Sequence, residues 1–149
     1  MTSIKLLNTI RVLTKLDSSS IDLPGSEIAT IDFADEILCI QFSKAFIIRT
    51  MAGSIERTRW WQRGKLIFTN AEMLSAFHTG SPLICTGGDV TENLYTFRDM
   101  IPIPFAGRGQ IRCVLRFKDQ DQTLQAIAQG VRLEMEDVAK YIEHIRDHK

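Results

Sequence analysis

Two stretches of the chain hold residue types whose spacing could do chemistry. The first is Arg57-Thr-Arg-Trp-Trp-Gln-Arg-Gly-Lys65. On an extended strand successive side chains alternate between faces. Arg57, Arg59, Trp61, Arg63 and Lys65 then share one face, a row about 13 Å long at strand rise. Four cations around an indole suit a single-stranded nucleic acid, with phosphates on the cations and an unpaired base on Trp61. Arg112, Arg116 and Lys118 could widen that row from a second strand. The competing expectation is a solvated face whose cations are neutralised by Glu134, Glu136 or Asp119.

The second stretch runs from Asp89 to Asp99. It packs Asp89, Glu92, Asn93, Tyr95, Arg98 and Asp99 between Gly87-Gly88 and Pro102. Carboxylates beside a phenol and a guanidinium suit acid–base work or capture of a small ligand, and loops on a rigid scaffold are where such sites are built. A ligand site there requires Asp89, Tyr95, Arg98 and Asp99 to converge on one concavity. The plainer reading is a capped turn with an ordinary ion pair.

Other chemistry is thinly represented. Cys39, Cys85 and Cys113 are far apart and lack CxxC spacing, which argues against a disulfide framework and a zinc finger. His144 and His148 could share a helix face, but no further ligand completes a metal set, and pairing of Cys85 with His78 rests on sequence proximity alone. The glycine-rich turns match neither a phosphate-binding loop nor a dinucleotide fingerprint. No catalytic residue, cofactor or metal is expected on these grounds.

Composition sets wider bounds. The 149 residues are the usual size of one domain. Basic and acidic residues balance at 18 each, so no global field draws the chain to nucleic acid or to an anionic membrane. The N-terminus lacks the h-region of a signal peptide, and no apolar run is long enough for a helical membrane span. A soluble cytoplasmic protein is the expectation.

The elements that must position these residues read mainly as strands. Residues 3–16 carry apolar spacing that fits a short helix, and 17–26 read as a loop. Residues 28–33, 36–42, 45–51 and 57–68 read as short strands, followed by a short helix over 71–77 capped by Asn70. Ile101-Pro-Ile-Pro-Phe105 must be extended, and its missing donors make it an edge. The clearest alternation places Ile111, Cys113, Leu115 and Phe117 on one face and Arg112, Arg116 and Lys118 on the other. Residues 122–129 fit a strand or a helix capped by Gly130. Val138, Tyr141, Ile142 and Ile145 form a helical stripe over 136–146.

The expected organisation is therefore one domain. Residues 1–26 give an N-terminal helix and loop, 27–135 a β core, and 136–149 a C-terminal helix. The fold class is mainly β, a two-layer β-sandwich or open barrel with a helix near each terminus; the alternative is α+β. The function expected is a non-enzymatic binding or assembly module that forms a homo-oligomer. The alternatives are a small-molecule-binding domain or enzyme using 89–99, and single-stranded nucleic-acid binding through 57–65.

Overall fold

The computed structural model describes residues 18–51, 56–75, 77 and 82–145, and every regular element among them is a strand. The strands are β1 (Ser18–Ala34), β2 (Ile37–Thr50), β3 (Arg57–Thr69), β4 (Glu72–Met73), β5 (Leu83–Glu92), β6 (Tyr95–Arg98), β7 (Met100–Ile103), β8 (Ala106–Phe117) and β9 (Leu124–Ile145). They form one antiparallel sheet in the order β6-β5-β8-β9-β3-β2-β1-β7. A further pairing of β1 with β5, Glu27 opposite Ile84 and Ile28 opposite Leu83, links the two sides of that sheet. The pairings therefore run in a circuit: β1, β2, β3, β9, β8, β5 and back to β1.

The circuit has one apolar inside. Ile28, Leu38, Ile40, Phe42, Leu66, Phe68, Val90, Ile111, Cys113, Leu115, Leu124 and Ala126 are buried in a single cluster. On β2 the period of two is visible in Leu38, Ile40 and Phe42, which are all fully buried. The wet-faced strand read from the sequence is β8, with Ile111, Cys113, Leu115 and Phe117 inside.

Long strands here serve two neighbours by bending. The register of β1 against β2 shifts between Asp22 and Glu27. Before the shift β1 pairs with β7; after it, with β5. Gly25 at the bend has φ +89, a left-handed value that favours glycine. Ser26, fully buried, holds the bend: its hydroxyl donates to the Asp22 carbonyl at 2.7 Å and accepts from the Phe46 amide at 3.1 Å. Ser26→Ala leaves both backbone groups buried without that partner. The expected cost is about 1–3 kcal/mol, read as a lower urea midpoint at unchanged slope.

Several expectations are corrected. Residues 18–26 are strand and not loop, because β7 and β2 flank them. Ser43-Lys44 is a bulge within one long β2 and not a connection between two strands. The helix expected over 71–77 is replaced by the two-residue β4, paired with Ile127 and Ala126 of β9. The helix expected over 136–146 is also absent: β9 runs unbroken to Ile145 against β3. Residues 122–129 take the strand alternative from Leu124 onward. The N-terminal helix expected over 3–16 lies outside the described residues. Among those described, no helix is long and apolar enough to cross a membrane.

Candidate functional site

The basic-aromatic row lies on β3 between β2 and β9, and its alternation survives. Trp60 pairs with inward-facing Ile47, so Arg57, Arg59, Trp61, Arg63 and Lys65 take the outer face. The surroundings of that row decide its chemistry. Arg59 lies 4.0 Å from Asp22, Arg63 3.7 Å from Asp137 and Lys65 3.8 Å from Glu136. Two ammonium groups, Lys140 at 4.5 Å and Lys44 at 5.2 Å, cover the Trp61 ring. Of the acids expected to neutralise the row, Glu136 does so. Glu134 is opposite Lys65 in register but hydrogen-bonds Arg132 at 2.7 Å. Asp119 sits in the turn after β8 with φ 59. Arg112, Arg116 and Lys118 do not extend the row, since β9 and its acids stand between β8 and β3. The outer face of β3 is thus a strip of alternating charge around a covered indole, poorly shaped to stack a base.

Asp22 responds to this strip. Burial raises its carboxyl above the ordinary 3.8, opposed by the Arg59 charge and reinforced by Asp99. The folded state then binds a proton that the unfolded state has released, in the window from 3.8 up to the raised value. Stability falls as pH rises through that window. Asp22→Asn is expected to flatten that part of the urea-midpoint profile while leaving the alkaline side unchanged.

The 89–99 stretch is a hairpin of β5 and β6 that turns at Asn93 and Leu94. Asp89 pairs with Arg98, whose Nε lies 3.7 Å from Asp89 Oδ1. Tyr95 pairs with Glu92 and so projects to the opposite face, where its ring meets Phe97 at 4.6 Å. Asp99 follows the hairpin in a left-handed turn, φ 59. Its Oδ1 accepts the Gly88 amide at 2.9 Å and lies 3.5 Å from Arg116 Nη2. A Cβ at Gly87 would come within 2.6 Å of that oxygen, so the close approach requires glycine. The hairpin joins Asp89 to Arg98 and ties Asp99 to the backbone. It does not bring Tyr95 to them.

The thiols are quiet. Burial pushes Cys85 up to about 11 and Cys113 higher still. Cys39, half-buried, is raised for the same reason. His78 and His148 lie outside the described residues. His144 is on β9, its ring 5.9 Å from Tyr141. Among the described residues no three His, Cys, Asp or Glu side chains are grouped as metal ligands.

A feature that sequence reasoning missed is the far half of β9. Up to Arg132 the strand pairs with β8 on one side; on the other it meets β4 at Ala126 and Ile127 and β3 from Gly130 onward. Beyond Leu133, whose amide donates to the Phe105 carbonyl, β3 is the one partner strand among the described residues. Asp137, with φ 62, opens this half. From there to Ile145 it carries Val138, Tyr141 and Ile142 at 80, 50 and 37% exposure. Behind it Trp60 donates to Thr58 Oγ1 at 2.8 Å, meets the Tyr141 ring edge-on at 5.3 Å and lies 4.4 Å under the Arg49 guanidinium. This layer stiffens β9 without covering its edge.

No protein-family model, curated protein or solved structure matches the chain.

Proposed function

We propose that the protein is a non-enzymatic assembly module, a small β-barrel that forms a homodimer by pairing the free half of β9 with the same half of a second copy. The observation that carries this reading is the half of β9 from Asp137 to Ile145, which among the described residues has β3 on one side and no strand on the other, and which carries exposed apolar side chains. Nine residues give an edge about 30 Å long. An edge of that length is a template for another strand unless something blunts it.

The two end strands of the sheet order are blunted. β6 has four residues. β7 carries Pro102, which has no amide to offer. On β9 the one lysine of the edge, Lys140, is turned onto Trp61 and does not guard the backbone. Symmetry favours a copy of the same strand: an antiparallel partner presents to it the same exposed Val138, Tyr141 and Ile142, while Glu136 and Asp137 are already matched by Lys65 and Arg63. The β1–β5 pairing supports a barrel over a two-layer sandwich, because a sandwich leaves those edges open. The three free thiols suit a reducing compartment such as the cytoplasm.

Multi-angle light scattering tests the reading. A mass near twice the chain mass of 16.9 kDa, falling toward one chain mass on dilution, is the expected outcome. A single chain mass across the micromolar range removes the dimer.

A further inference from the structure

On the opposite part of β9, where it pairs with β8, the ladder is interrupted. The register shifts between Arg108 and Ile111, leaving Gly109 and Gln110 against Gln129. Gly109 has φ +120, and Asn93 fastens the bulge. Its amide nitrogen donates to the Arg108 carbonyl at 3.1 Å, and its side-chain oxygen accepts the Gln110 amide at 3.0 Å. Two hollows flank the bulge, one of about 460 Å³ beside Arg108 and Gly130, one of about 520 Å³ beside Gly109 and Gln129. Consecutive residues on both strands line them, so together they make one interrupted trough.

The chemistry of the trough is one-sided. Arg108 pairs in register with Gly130, which has no side chain, and Arg112 with Ile127. Among the described residues neither guanidinium has a carboxylate at ion-pair distance, whereas Arg98, Arg116 and Arg132 each have one. Glu134 holds Arg132, and Glu92 lies over Gly107, whose missing side chain points into the circuit. Glu72 stands beyond Ile127. Neutral hydrogen-bonding groups fill the rest: the Thr69 hydroxyl stands over Gly130, and Gln129, whose side-chain oxygen accepts from Asn70, keeps its amide NH₂ available. Ile127, 38% exposed, gives an apolar floor.

We propose that this trough is a binding site for a small phosphate-bearing molecule with an apolar body. Arg108 and Arg112 hold the phosphate as planar forks, Thr69 and Gln129 add neutral donors, and the body rests on Ile127. The volume of each hollow lies in the range of small-molecule sites. The site is independent of the β9 dimer, which uses Asp137–Ile145 and not residues 127–130.

Phenyl phosphate is the probe, titrated into the whole protein at low salt while amide and side-chain NH₂ signals are followed by NMR. Shifts confined to Thr69, Gln110, Arg112 and Gln129 are expected, saturating by about 10 mM. Arg108→Ala and Arg112→Ala, both exposed positions, should each weaken binding roughly tenfold. Lys118→Ala, an exposed cation outside the trough, should leave it unchanged, and phenol should shift nothing. No saturable shift, equal weakening by Lys118→Ala, or binding indifferent to both arginine variants would overturn the site.

Discussion

Replacing Phe42 by alanine is expected to lower stability by about 3–5 kcal/mol, the largest loss from any single substitution considered. Phe42 is fully buried, and on β2 it lies opposite Ile28 of β1 and Gly64 of β3. Gly64 has no side chain to move into a vacated space, and a Cβ there would already meet Met135 Sδ at 3.0 Å. The cavity would therefore collapse only in part, and the cost combines lost transfer energy with an unfilled void. Urea unfolding followed by tryptophan fluorescence reads the change. A loss below about 1 kcal/mol would mean that the inside of the circuit is loosely packed.

The second large effect is on assembly. Val138→Lys combined with Ile142→Lys is expected to raise the dimer dissociation constant by roughly 100-fold, about 2.7 kcal/mol. Both side chains reach solvent in the single chain, so its own stability should stay within about 0.5 kcal/mol. The pairing of a weakened dimer with an unchanged unfolding midpoint at low protein concentration separates an interface effect from a folding effect. A dimer as tight as the parent's would place the interface elsewhere.

How far the sequence carried the fold depends on where the period of two is clean. From Ile111 onward β8 alternates without interruption, and its inward residues were readable. β9 was not. Its register against β3 slips twice, between Arg59 and Trp60 and between Trp61 and Arg63. Each slip inserts residues on β9, so Val138, Tyr141, Ile142 and Ile145 fall at spacings that imitate a helical stripe. Their exposure shows that no core lies behind such a stripe. Asn70 misled in another way. It read as a helix cap, yet its φ of 49 uses the left-handed tolerance of asparagine to turn the chain into β4.

The site residues divide similarly. Asp89 and Arg98 meet as neighbours in a hairpin, which their spacing allowed. Tyr95, three residues before Arg98, had to face the other way once the segment was a strand. The edge of β9 that is open among the described residues had no local signal at all. Whether a strand has one neighbour or two depends on residues far along the chain, here on β8 meeting β9 only as far as Arg132.

Amide hydrogen exchange across Asp137–Ile145 at two protein concentrations tests the assembly account most directly. At concentrations above the dissociation constant, alternate amides of this half-strand should exchange slowly, because they donate to the second copy. On dilution below it, the same amides should become fast while those of β8 and of β9 before Arg132 keep their protection. Protection of Asp137–Ile145 that does not change with concentration, or its absence at every concentration, would contradict the pairing of β9 with a second copy.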